Sequence, residues 1–203
     1  MTGTTQTVRE IGEFGLISAL RDALPPAVVA GPGLELGIGD DCAVWRPAAG
    51  ERIVVTTDSL VHDIHFRLGW TDWERLGHKT LAVNLSDLAS MGAVPRFAVI
   101  TLALRGDERV DDLRALYRGL GALALRTGTL VAGGDIVRSP DSLALHVAAV
   151  GETRGGRVIP RSGARPGDLV ATSGTLGASA AGLALLAEPE APAARAATSG
   201  LLR

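Results

Sequence analysis

Apolar residues recur at helical spacing in several stretches of the chain and crowd together in others. From Glu10 to Asp22, Ile11, Phe14, Leu16, Ile17 and Leu20 predict a short amphipathic helix, interrupted by Gly12 and Gly15 and ended by Leu24-Pro25-Pro26. Arg52–Thr57 is a short β-branched run that predicts a buried strand, and Ser59–Trp70 a loop that carries His62, Asp63, His65 and Arg67. Thr71 and Glu74 have capping-box spacing, so a helix is predicted from Asp72 to Met91, with Gly92 as its C′ residue. On that helix Lys79, Val83 and Asp87 share a stripe, with Asn84 beside it. Arg96–Arg105 is apolar on both alternating sets, which predicts a strand covered on both sides. A helix over Asp107–Arg126 follows, then strands at Thr129–Ala132 and Ser142–Gly151. Beyond a turn-rich connector from Arg157 to Asp168 come a strand at Leu169–Ser173 and a helix over Ala178–Leu186. The Ala/Pro-rich stretch from Glu188 to Ser199 reads as a linker or a frayed end. Strands and helices intermixed in this order give an α/β (α+β) class. The expected division is a domain over 1–155 and the start of a second over 156–203.

Composition narrows the function classes. The net charge of -2 leaves no electrostatic footprint for nucleic acid and no polybasic membrane patch. Aromatics are only 3% of residues, so the core must be built from Ala, Val, Leu and Ile. A single cysteine, Cys42, excludes an internal disulfide and a multi-cysteine zinc site, and reads as a small buried apolar residue. Met1–Arg9 lacks an apolar signal core and no apolar run reaches spanning length, so a soluble cytoplasmic protein is expected.

Four acidic loci then stand out: Asp40-Asp41 in a glycine-rich turn, Asp58 after Thr56-Thr57, Asp87 near a helix end, and Asp135 after Gly133-Gly134. Each is expected at the end of an element, where a carboxylate can project into a shared cleft. Asp40-Asp41 alone is as easily a solvated turn as a site. Gathered carboxylates repel one another and are costly to desolvate, and hard oxygen donors suit Mg²⁺ carried with phosphates. Gly133 and Gly134 permit close approach of a ligand to the backbone, and Arg138, Arg161 and Arg165 offer guanidinium groups to phosphate. The set fits Mg²⁺-dependent phosphoryl transfer. No G-x-x-x-x-G-K-[ST] loop occurs, and His62 and His65 lack a placed third ligand for zinc.

These stretches resemble thiamine-monophosphate kinases, of the superfamily that includes aminoimidazole-ribonucleotide synthetase and selenophosphate synthetase. The resemblance is carried by Gly12-Glu13-Phe14-Gly15-Leu16-Ile17, by Gly37-Ile38-Gly39-Asp40-Asp41-Cys42-Ala43 and by Thr57-Asp58-Ser59-Leu60-Val61. Ile64-His65-Phe66, the run Lys79–Ala93, Gly133-Gly134-Asp135 and the run Arg161–Asp168 complete it. It implies Asp41, Thr56, Thr57, Asp58, Asp87 and Asp135 as Mg²⁺ ligands, Gly134, Asp135 and Arg161 at ATP, and His65 at the substrate. It implies transfer of the ATP γ-phosphoryl group to thiamine monophosphate, with several Mg²⁺ ions and no catalytic residue beyond the metal ligands. It further implies a homodimer formed through the N-terminal sheet, with nucleotide along the dimer groove. Family members are expected to continue past the position of Arg203 with a further Ser-Asp-Gly-type acidic motif. Two alternatives stand beside this reading: a non-catalytic dimerisation or nucleotide-binding fragment, and a related enzyme with another phosphate acceptor.

Overall fold

Which face of each central strand is apolar decides the architecture. The structure, a computed structural model, describes residues 6–38 and 44–187. The chain opens with helices α1 (Val8–Asp22) and α2 (Pro26–Val29) and a small antiparallel pair, β1 (Leu34–Leu36) and β2 (Val44–Trp45). Then come β3 (Ile53–Val61), α3 (Trp73–Ser90), β4 (Val94–Leu104), α4 (Val110–Thr127), β5 (Leu130–Arg138) and β6 (Ala144–Glu152). The four long strands form one mixed sheet in the order β3-β6-β4-β5. The β4 and β5 strands are parallel, as the α4 crossover between them requires, and the other pairs are antiparallel.

One face of this sheet is covered by α3 and α4. Ala98, Ile100, Leu102, Leu145, Val147 and Ala149 line it and are all but fully buried against Leu76, Leu81, Leu88, Leu113, Leu116 and Leu120. The other face carries Val55, Thr57, Ser59, His146, Ala148, Val99, Thr101, Asp135 and Val137, each half-buried or exposed. The strand predicted to be covered on both sides is therefore covered by helices on one. At one end of the open face Trp45 packs on Phe97, with ring centroids 5.4 Å apart.

The two covering helices meet backbone to backbone. A Cβ on Gly77 of α3 would lie 1.8 Å from the Leu116 carbonyl oxygen, and one on Gly119 of α4 would lie 1.8 Å from that of Glu74. Local details depart from expectation in instructive ways. The break in α1 falls at Gly12, whose φ of 67° is open to glycine at little cost. The cap of α3 is Asp72 rather than Thr71: its carboxylate accepts from the Arg75 N–H at 2.7 Å, while Thr71 donates to the Asp72 carbonyl. Strands β3 and β5 run past their expected ends because Asp58–Val61 pair with β6 and Gly133–Arg138 pair with β4.

A second unit, Arg161–Arg203, is separate from Met1–Pro160. Its described part holds a 3₁₀ turn, Arg161–Gly163, and helix α5, Ala178–Ala187. The strand expected at Leu169–Ser173 does not form. No described residue of this unit pairs with it, and Leu169 and Val170 are fully solvent-exposed. The linker expected over Glu188–Ser199 lies outside the described residues.

Glu51 ties the entry to β3 to the turn after β6. Its carboxylate accepts from Thr153 Oγ1 at 2.9 Å and from the N–H groups of Gly155 and Gly156 at 3.0 and 3.1 Å. These bonds, the Gly156 N–H foremost, hold its pKa below the ordinary 4.5. A lowered folded-state pKa stabilises above the unfolded value and is lost as pH falls through the folded one. Glu51→Gln is expected to flatten the acid limb of the stability profile below about pH 4.5, read from urea midpoints down to about pH 3. Parallel acid limbs in the two proteins would refute the linkage.

Candidate functional site

On the helix-covered face, edge strand β3 presents Thr56 and Asp58 two residues apart, beside Asp87 in the last turn of α3. Thr56 Oγ1 donates to Asp87 Oδ2 at 2.8 Å. Period-two alternation puts Thr56, Asp58 and buried Leu60 on one side. Leu60 packs in the core while Thr56 and Asp58 remain half-exposed at the rim and Asp87 is exposed. Two carboxylates and a hydroxyl at a wetted rim form a hard-oxygen donor set of the kind Mg²⁺ takes while keeping several waters. Among the described residues no group of three or more His, Cys, Asp or Glu side chains lies close enough to hold a metal on its own. Thr57 points to the opposite face and its hydroxyl donates to the Val147 carbonyl at 2.9 Å. Of the helix residues near Asp87, Ser86 is exposed, but Asn84 is fully buried. Its Nδ2 donates to the Thr80 carbonyl, and its Oδ1 meets no donor among the described residues.

Asp135 is brought to a different place. It lies within β5, not at a strand end, and pairs with Thr101 on the open face. One row across the sheet reads Asp58–Val147–Ile100–Gly134, and the next reads Ser59–His146–Thr101–Asp135. Asp58 and Asp135 therefore stand three strand spacings apart, roughly 14 Å, with side chains on opposite faces. One chain cannot bring both to a single Mg²⁺ with ligand bonds of ~2.1 Å. In the second of those rows Ser59 Oγ and His146 Nδ1 are 2.7 Å apart, a hydrogen-bonded pair that no sequence spacing announces. Gly134 has a structural requirement of its own: a Cβ there would sit 1.9 Å from the Ile100 carbonyl oxygen. Gly133 is open, with only Val99 at 3.9 Å.

Asp40, Asp41 and Cys42 lie outside the described residues, which resume on either side at Ile38 and Val44. On one side, a Cβ on Gly37 would lie 3.7 Å from the Ala132 carbonyl oxygen of β5. On the other, Trp45 Nε1 donates to Glu152 Oε1 at 2.9 Å. Glu152 is buried, and also accepts from Arg96 Nε at 3.0 Å and the Ala48 N–H at 3.3 Å. Arg161 opens the 3₁₀ turn of the second unit.

The loop after β3 is built around its histidines. His62 Nε2 accepts from the Leu68 N–H at 3.3 Å, its ring meets Phe66 edge-on, and its Nδ1 lies 3.1 Å from Asp63. Asp63 takes a φ of 65°, rare for a residue with a side chain. His65 Nδ1 accepts from the Val61 N–H at 3.1 Å, and Lys79 Nζ donates to the His65 carbonyl at 2.7 Å. Sequence spacing had put Lys79 on the Asp87 stripe without giving it a role.

The sequence model of a family described as AIR synthase related protein, N-terminal domain, matches residues 39–153. A thiamine-monophosphate kinase from Bacillus subtilis is 37% identical over 180 residues, 89% of this chain and 54% of the relative. The solved thiamine-monophosphate kinase from Stenotrophomonas maltophilia K279a superposes with a TM-score of 0.74 at 40% identity, over 87% of this chain and 53% of that one. A structure described as AaThiL complexed with AMPPCP and TMP gives a TM-score of 0.65 at 33% identity, over 97% and 61% of the two chains. The chain spans about half the length of the curated relatives it matches.

Proposed function

The chain belongs to the AIR synthase related family by its N-terminal domain, and on that premise we propose that its residues serve an ATP- and Mg²⁺-dependent thiamine-monophosphate kinase. The reaction is transfer of the ATP γ-phosphoryl group to thiamine monophosphate, giving thiamine diphosphate and ADP in the cytoplasm. The observation that carries this reading is the Thr56–Asp58–Asp87 cluster at the sheet rim, backed by kinase relatives along most of the chain.

Asp58 and Asp87 are the residues that would hold Mg²⁺ on this face, with Asp41, Thr56 and the backbone oxygen of Thr57, whose hydroxyl faces the other side, as further ligands. The Thr56 hydroxyl fixes one Asp87 oxygen and leaves the other for the ion. Bound Mg²⁺ supplies charge neutralisation for the phosphates. The acceptor is already a phosphate, largely ionised near neutral pH, so the absence of a general base from the cluster costs little. Gly134, Asp135 and Arg161 serve ATP in this reading, and His65 serves the substrate.

Homodimerisation through the open sheet face belongs to the same proposal. Val55 is 65% exposed and Val137 41% exposed on that face, and a second copy would cover both. Calorimetric titration of the chain with ATP, with and without Mg²⁺, tests the core of the proposal: heat is expected only with the metal. Equal traces in the two titrations would favour a non-catalytic module. Turnover of a different phosphate acceptor, with thiamine monophosphate inert, would favour a related enzyme.

A further inference from the structure

Resting on the kinase reading, we propose that Lys79 is a positioning residue for His65. It latches the loop after β3 onto α3, so that the imidazole offers a fixed Nε2–H donor to the end of the substrate remote from its phosphate. His65 is held at three points. Its N–H donates to the Val61 carbonyl at 2.8 Å, its Nδ1 accepts from the Val61 N–H at 3.1 Å, and its carbonyl accepts from Lys79 Nζ at 2.7 Å. The first two bonds join His65 to the last residue of β3, and the third joins it to a regular helix, so the residue is referenced to two rigid elements at once.

The Val61 bond also fixes the tautomer. A backbone N–H can donate only to a bare ring nitrogen, so the proton of the neutral imidazole sits on Nε2. No described residue takes that Nε2–H, and His65 is exposed, so the group is free to donate to a ligand. Lys79 is exposed too and has no carboxylate partner among the described residues, so its donation to a neutral carbonyl is not a by-product of an ion pair.

Spacing then identifies which part of a substrate the donor meets. Lys79 and Asp87 are eight residues apart on α3, about 12 Å along its axis. Along β3, Asp58 to Val61 spans about 10 Å. A substrate whose phosphate lies at Asp58 and Asp87 can reach His65 only with its far end, which must carry a lone pair there. In thiamine monophosphate that end is a heteroaromatic ring with nitrogen acceptors. A donor held in place rejects a ring without the acceptor, because its own hydrogen bond then goes unmade.

The test uses ¹⁵N-labelled imidazole spectra of the chain at about pH 8, above the ordinary histidine range near ~6.5. Wild type should show His65 as one tautomer, bare at Nδ1 and protonated at Nε2. Lys79→Met should loosen the loop and shift the spectrum toward the tautomer mixture of a free imidazole, in which Nε2–H still predominates, and Lys79→Arg should restore the single form. Lys79 is a surface residue, so the remaining spectrum should be unchanged in both variants. In the protein that turns over thiamine monophosphate, Lys79→Met should raise KM for that substrate about tenfold, leaving KM for ATP and kcat near wild type. A wild-type tautomer retained in Lys79→Met, or an unchanged substrate KM, would overturn the latch. If added thiamine monophosphate leaves the wild-type Nε2–H signal unmoved, the kinase reading of His65 fails instead, and the tautomer comparison still decides the latch.

Discussion

Gly77→Ala and Gly119→Ala should each destabilise the chain by about 3 kcal/mol or more, read as a sharp fall of the urea midpoint. In each case the added methyl group would overlap a backbone carbonyl at 1.8 Å, which no rotamer change can relieve. The helices must separate instead, and separation strips contact from Leu76, Leu81, Leu116 and Leu120, all fully buried. Helix propensity works the other way, since alanine gains about 1 kcal/mol over glycine in a helix interior. The packing loss must exceed that gain for the prediction to hold. Ala122→Gly, on the exposed side of α4, is the control, and should cost only about that 1 kcal/mol. The two alanine variants should not be additive, because both act on one crossing. Midpoints equal to or above wild type would mean that the helices can move apart freely, and that α3 does not hold Asp87 rigidly against β3.

Asp58→Asn and Asp87→Asn should each reduce thiamine diphosphate formation by ~10²-fold or more, since each removes a charge that would hold the ion at the transferring group. Both side chains lie at the rim, so the thermal midpoint should scarcely change. The Mg²⁺-dependent heat of ATP binding should fall with the activity. Asp135→Asn should be comparably harmful although Asp135 lies on the other face. If a site is shared between two copies, mixing Asp58→Asn with Asp135→Asn chains should recover part of the activity, because some pairs then contain one intact site. Turnover by Asp58→Asn at the wild-type rate would remove Asp58 from the ligand set. No recovery on mixing would count against the shared arrangement.

Much of the frame was legible because it rests on local pattern. Helix α3 could be read from apolar spacing and its glycine stop, and β4 from its unbroken apolar run. The α/β (α+β) class followed from the order of elements. What escaped depends on partners distant in sequence. The ends of β3 and β5 were placed too early because polar or glycine residues in a strand look like its end until a neighbour is known to pair with them. The open face of β4 looked covered because both residue sets are apolar, and nothing in one chain's periodicity says which set faces the helices. At the site, Thr56, Asp58 and Asp87 were singled out by residue type, but the hydrogen bond that joins Thr56 to Asp87 was not. The separation of Asp135 onto the other face was not, since facing is set by register. Gly77 and Gly119 carry no signal as single residues, because their meaning lies in a crossing that exists only after folding.

The bond between Trp45 and Glu152 has a bearing on the order of assembly. It spans 107 positions, and with Arg96 it joins β2 to the last residue of β6. Closing so long a loop costs entropy that local contacts do not offset, so the clamp belongs with the equally long-range β3–β6 pairing rather than with the local elements. Synthesis delivers Asp40 and Asp41 well before Glu152, so the Trp45 anchor that follows them can be completed only once β6 has been made. A nascent chain that stops before β6 would carry the acids without the anchor that completes their setting.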